Sequence, residues 1–188
     1  MWRVISGVNL QSDDFELLGL KRRFHQDQSH IDARRQALLR LVHPDQFANQ
    51  TTAAQRVAMQ WSVRINEACQ RLKDPLQRAV YLCELQGVPV HADQNTNMPA
   101  DFLSQQMQWR ETLDAANSPD DLEQIRLQVN QVKRETLQRI EQLMDDQQNF
   151  AQAVGHVRAL MFVERLASDV DQRIDDMDDL DHVDQMEA

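Results

Sequence analysis

Glycine and proline are scarce in this chain: four and five among 188 residues. So few breakers leave little room for the turns of a many-stranded fold, while Gln, Leu, Ala, Arg and Asp abound. The composition therefore points to a mostly helical protein with few loops. There are only two cysteines, Cys69 and Cys83, and they form no Cys-x-x-Cys pair. A disulfide framework or a cysteine metal site is not expected, and both read as buried free thiols in a reducing compartment. No apolar run approaches the roughly 20 residues needed to span a bilayer. The opening Met-Trp-Arg-Val-Ile-Ser-Gly has no long apolar core and no cleavage site, so export is not expected and a cytoplasmic protein is. No repeat and no strand pattern of useful length occurs. Also missing are a Ser-His-Asp or Cys-His set, a Gly-rich phosphate loop and paired carboxylates in a plausible setting, which argues against an enzyme. His25, His30 and His91 lack ligand spacing, and neither metal nor cofactor is expected.

What is present is charge, and it is uneven. The net charge is -10. Residues 1–75 carry 11 Lys+Arg against 8 Asp+Glu, or +3; residues 76–188 carry 9 against 22, or -13. A basic first part joined to an acidic second part suggests two surfaces with different partners. Nucleic-acid phosphates would be repelled by the larger part.

Start and stop signals divide the chain. Residues 1–12 have weak pattern. Asp13 with Glu16 forms a capping box for a short helix at 15–18, stopped by Gly19. Ser29 with Asp32 starts a helix over 30–42, with Ile31, Leu38, Leu41 and Val42 on one side. Arg40 lies on the opposite side, and Arg34 and Arg35 at the edges of the apolar arc, where they must snorkel. Pro44 lacks a backbone donor and disfavours helix at the residue before it. The helix must stop, leaving His43-Pro44-Asp45 on a loop.

Thr51 or Thr52 then caps a long helix in which Ala54, Val57, Ala58, Trp61, Ile65, Ala68 and Leu72 keep i, i+3/i+4 spacing. The two helices make an antiparallel hairpin with His43-Pro44-Asp45 at its end, and the 15–18 helix could cover its seam. Asp74-Pro75 opens another helix, with Leu76, Ala79, Val80 and Cys83 inward and Gly87 closing it. Residues 87–98 are a loop. Pro99 opens a helix to about 116, Ser118-Pro119 starts a long one striped by Leu122, Ile125, Val129, Val132, Ile140 and Leu143, and 150–174 form the last. The Asp-rich 175–188 read as a solvated, disordered tail.

The fold class is all-α: a helical hairpin domain at 1–74 with an extension over 1–12, a connecting helix and loop at 75–98, a three-helix bundle at 99–174, and the tail. In the 99–116 helix, Phe102, Trp109, Leu113 and Ala116 form one stripe. Leu103 and Met107 share a second face, which is either core or an adaptable surface for a partner.

The order basic helix, His43-Pro44-Asp45, long apolar-striped helix resembles a J domain, the helical module that stimulates the ATPase of DnaK-type chaperones. Ile65-Asn66-Glu67-Ala68, Leu72-Lys73-Asp74-Pro75-Leu76, Arg78-Ala79 and Tyr81-Leu82 resemble the stretch joining the two domains of HscB-type co-chaperones of iron–sulfur cluster assembly. Segments 102–114 and 157–166 are similar to that family as well, so the resemblance spans 13–174. It implies that His43, Pro44 and Asp45, with Arg34, Arg35 and Arg40, engage an HscA-type chaperone. It implies further that Leu103, Met107, Arg110, Glu111 and Phe162 receive the scaffold protein IscU. The family often has Tyr before the His and Lys after the Asp; here these are Val42 and Gln46, and Ser104 and Met161 stand where a methionine and an arginine are usual. Two other readings compete. One is a J-domain protein with a different client; the other is a histidine-phosphotransfer bundle using His156, which lies beside the 150/154/157 stripe.

Overall fold

The computed structural model describes residues 8–43, 47, 51–90 and 100–186, apart from the side chains of 100, 101, 103 and 178–186. The described residues form helices and no strand, and the chain divides into two compact units, Met1–Leu85 and Gln86–Ala188.

The first unit holds α1 (Asp14–Leu18), α2 (Gln28–Leu41), α3 (Thr52–Lys73) and α4 (Pro75–Leu85). Local chemistry sets most of the ends. Asp13 Oδ1 accepts from the Glu16 amide at 2.9 Å, and Gly19 closes α1 in the left-handed region at φ 65°, a conformation that costs glycine little. Thr51 caps α3 through the Ala54 amide at 3.3 Å, and Asp74 caps α4 through the Gln77 amide at 2.9 Å. The start of α2 is a correction. Asp27, not Ser29, is the cap, accepting from the Ser29 amide at 2.8 Å and the Ser29 hydroxyl at 2.7 Å, so the helix begins at Gln28. A carboxylate that satisfies the first orphan amides outcompetes a hydroxyl two residues on. Asp27 is held below its ordinary pKa by the Ser29 hydroxyl first and by the Ser29 and His30 amides after it.

The α3 stripe is buried at Ala58, Trp61, Ile65, Ala68 and Leu72, and packs on α1, α2 and α4. Phe15, Leu17 and Leu18 of α1 are buried with it, as are Ile31, Leu38 and Val42. Leu41 is not core: it is 42% exposed. At roughly 100° per residue it lies about 80° away from the Ile31–Leu38 line.

Polar ties thread this unit. The Asp14 carboxylate is fully buried between Arg64, 2.5 Å away, and Arg71, 2.8 Å away. The Asp14 amide donates to the Tyr81 hydroxyl at 3.0 Å, and the Tyr81 ring stacks on Phe15. Burial raises the Tyr81 pKa, opposed by that amide. Arg78, also buried, donates to the Leu72 carbonyl and covers the Phe24 ring at 5.0 Å, fixing the α3–α4 corner. Helix α4 is thus part of the first unit.

The second unit holds α5 (Ala100–Ala115), α6 (Pro119–Glu141), a π-turn (Gln142–Asp146) and α7 (Phe150–Met186). Ser118 caps α6 through the Asp121 amide at 3.2 Å. Phe102, Trp109, Ala116, Leu122, Ile125, Val129, Ala159, Val163, Leu166 and Val170 form its core, confirming the α5 and α6 stripes. Leu143 is buried but belongs to the π-turn, whose exit is marked by Gln148 at φ 51°. The other correction is at the carboxyl end. A disordered tail was expected from 175, yet α7 continues to Met186. Ile174 and Met177 extend the core contact beyond Val170, and adding residues to an existing helix costs far less than starting one.

Candidate functional site

Helix α2 ends at Leu41 with Val42 as its cap, and His43 stands exposed just past it. Pro44 and Asp45, like Gln46, lie outside the described residues. Looking back from His43, Gln36, Leu39 and Arg40 of α2 line an open depression together with His43. Gln36 and Leu39 were missed from sequence, although the i, i+3, i+4, i+7 spacing leading to His43 was there to be read. Arg40 is exposed, on the side opposite the core line, as its spacing required.

The other two arginines are placed differently. Arg34 and Arg35 are half-buried at the edges of the apolar arc. Arg34 Nε donates to the Leu18 carbonyl at 2.7 Å, across to α1. Arg35 Nε donates to Asn66 Oδ1 at 2.8 Å, across to α3. Asp32 of the same helix pairs with Lys73 at 3.0 Å. Of the cationic trio, the structure brings only Arg40 together with His43.

The second candidate surface lies on α5. Met107 is 68% exposed, and Arg110 and Glu111, three and four residues on, are exposed beside it. Met107 is therefore not core. The side chain of Leu103 lies outside the described residues. Phe162 is half-buried, edge-on to Phe102 at 5.8 Å and parallel to Trp109 at 6.3 Å. Its ring is part of the aromatic joint between α5 and α7, geometry typical of favourable aromatic pairs. The joint braces the helix that displays Met107, Arg110 and Glu111.

His156 is half-buried, and its pKa is lowered by burial first and by Arg139 second. A phosphoacceptor histidine needs open access, which this placement curtails. Both thiols are buried; burial raises the Cys69 pKa and pushes Cys83 up to about 11, away from reactive thiolate character. Among the described residues no group of His, Cys, Asp and Glu could hold a metal ion, and no helix is long and apolar enough to cross a membrane.

Residues 98–171 match the family model of the HSCB C-terminal oligomerisation domain. The co-chaperone protein HscB homolog of Azoarcus sp. is 40% identical over 171 residues, covering 89% of this chain and 97% of that protein. The chaperone HscB from Vibrio cholerae superposes with a TM-score of 0.75 at 32% identity, over 88% of this chain and 99% of that one. The human co-chaperone protein HscB does so with a TM-score of 0.82 at 25% identity, over 88% and 84%. With two all-helical units that match such relatives nearly end to end, the chain belongs to the HscB co-chaperone family.

Proposed function

We propose that the protein acts by association. The first unit serves as a J domain that stimulates the ATPase of an HscA-type chaperone of the DnaK family, and the second unit delivers the iron–sulfur scaffold IscU to it in the cytoplasm. The observation that carries this reading is the exposed His43 at the end of α2, ahead of Pro44-Asp45, on a helix whose outer face also holds Arg40. Cations on such a face speed encounter with an acidic partner, and short-range contacts then fix the pose. Asp45 can take a partner guanidinium in a bidentate, charge-assisted pair. If docking favours one state of the chaperone, its ATP turnover shifts by the differential affinity for that state.

On α5, Met107 offers a flexible apolar contact with Arg110 and Glu111 at its rim, and Leu103 and Phe162 complete the proposed scaffold face. Thioether side chains suit an adaptable partner groove. A J-domain protein with a different client is the second reading. It is favoured by the placement of Phe162, whose ring is committed to Phe102 and Trp109. The phosphotransfer reading is set aside because His156 is half-buried.

The decisive experiment measures ATP turnover by purified HscA-type chaperone with increasing amounts of this protein. Turnover should rise, more so with IscU present, and His43→Gln should abolish the rise. Unchanged turnover, or a fully active His43→Gln variant, defeats the proposal. Calorimetric titration of IscU separates the two clients: binding weakened by Met107→Ser supports the scaffold, and no heat with unmodified protein favours the other client.

A further inference from the structure

Arg34 sits in the helix that carries His43, and by charge alone it belongs with the docking cations. Its surroundings say otherwise. Helix α1 ends in a glycine turn, where the Gly19 amide donates to the Glu16 carbonyl at 3.1 Å and the Leu20 amide to the Phe15 carbonyl at 2.8 Å. That turn leaves the Leu18 carbonyl among the last unpaired acceptors of a short helix. Arg34 Nε supplies the missing donor at 2.7 Å. The guanidinium then lies against Gly19 itself: a Cβ placed there would meet Arg34 Nη2 at 2.7 Å and Cζ at 3.4 Å. Gly19 is favoured by its φ of 65°, and a side chain there would also push the Arg34 guanidinium out of its seat. A planar, delocalised cation can both cap a carbonyl and lie flat on backbone; an ammonium on a flexible stem cannot do both.

We infer that Arg34 is a positioning residue of the chaperone-docking surface: seated on Gly19 and bonded to the Leu18 carbonyl, it sets the pose of α2, and through it that of Arg40 and His43, without touching the partner. The inference rests on the chaperone-docking reading of His43. Asp32 and Arg35, bonded to Lys73 and Asn66, hold the same half of the helix to α3. Leu38 and Val42 are buried while Arg40 and His43 stay exposed. A clamp at Arg34 fixes the roll of α2 about its axis, and the same roll keeps Leu38 and Val42 inward and turns Arg40 and His43 outward.

The test uses the full chain with Arg34→Lys, Arg34→Gln, Gly19→Ala and Arg40→Ala. In titrations of HscA-type chaperone turnover, both Arg34 variants should raise the half-maximal concentration about three- to tenfold, the range a lost net hydrogen bond covers. Saturated turnover and the salt dependence of the half-maximal concentration should stay as in the unaltered protein. Gly19→Ala, which changes no charge, should act the same way, whereas Arg40→Ala should flatten the salt dependence. If Arg34→Lys behaves as the unaltered protein while Arg34→Gln flattens the salt dependence, Arg34 touches the partner and the inference is overturned. A fall in saturated turnover that merely follows each variant's thermal stability overturns it too. Amide hydrogen exchange gives a readout that needs no partner. Leu38–Val42 should exchange faster in Arg34→Lys than in the unaltered protein, and unchanged protection there sinks the clamp. Should the unaltered protein fail to raise turnover, the docking reading falls, and exchange still decides whether Arg34 sets the pose of α2.

Discussion

The two units solve the same problem with different chemistry. The first packs helices of 5, 14, 22 and 11 residues and ties them with charge turned inward: Asp14 between Arg64 and Arg71, Arg34 on the Leu18 carbonyl, Arg35 on Asn66, Arg78 on the Leu72 carbonyl. The second uses helices of 16, 23 and 37 residues and an apolar, aromatic core, with Lys133–Glu164 at 3.0 Å as an ion pair between α6 and α7. The five-residue α1 buries Phe15, Leu17 and Leu18, and directional bonds from Asp14 and the Leu18 carbonyl add to that small apolar area in defining its place. The long helices of the second unit rest chiefly on their stripes, with the charged Arg158 side chain buried among them. The contrast also shows that the +3 balance of the first part is no measure of the charge it presents, because several arginines are used inside it.

The comparison can be broken most forcefully at the aromatic joint. Trp109→Ala removes a buried ring that packs on Phe102 and Phe162. It should cost about 3–5 kcal/mol by denaturant unfolding, with faster amide exchange in α5–α7. A loss under 1 kcal/mol would mean that the apolar core does not govern the second unit. Asp14→Ala tests the other side. It strands two guanidinium groups that retain some access to water, so the cost should be about 2–4 kcal/mol, read as faster exchange in α1 and α3. A neutral or stabilising outcome would show that the buried charge specifies nothing there.

Smaller effects sharpen the contrast. Ser118→Ala deletes the α6 cap and should cost about 1 kcal/mol, far less than a core truncation in the same unit. Cys83 should contribute nothing to pH dependence near neutrality. Its pKa is pushed up to about 11 by burial, with Glu84 adding to it. Above its ordinary pKa the unfolded chain loses the thiol proton and the folded one keeps it, so stability should fall as pH climbs through that range toward 11. Replacing Cys83 with alanine should shallow that slope, which chemical unfolding at several pH values can measure.

Much of the fold was legible because helix ends and stripes are local. Asp13, Thr51, Asp74 and Ser118 each cap through an amide three residues on, and the stripes of α3, α5 and α6 repeat within a few turns. The candidate site was legible where its spacing was local too: His43 after the helix stop, Arg40 opposite the core line, Met107 off the α5 stripe. Phe162 was less so, because whether an aromatic faces a partner or its own core depends on Phe102 and Trp109, two helices earlier. Leu41 and the start at Asp27 were misplaced by small errors of angle and cap strength.

The sequence by itself determined that this chain is helical, where most helices begin, and that α2 stops before His43, since those outcomes depend on residues within a turn or two of one another. Tertiary structure decided that Asp14 is buried, which acceptors Arg34 and Arg35 reach from the edges of the apolar arc, and that Ile174 and Met177 keep α7 on the core. The reason is distance along the chain: Arg34 meets a carbonyl 16 residues away, Arg35 an amide 31 away, and the Asp14 amide a hydroxyl 67 away. A charged side chain settles on the acceptor that folding brings to it, and no local pattern names that acceptor.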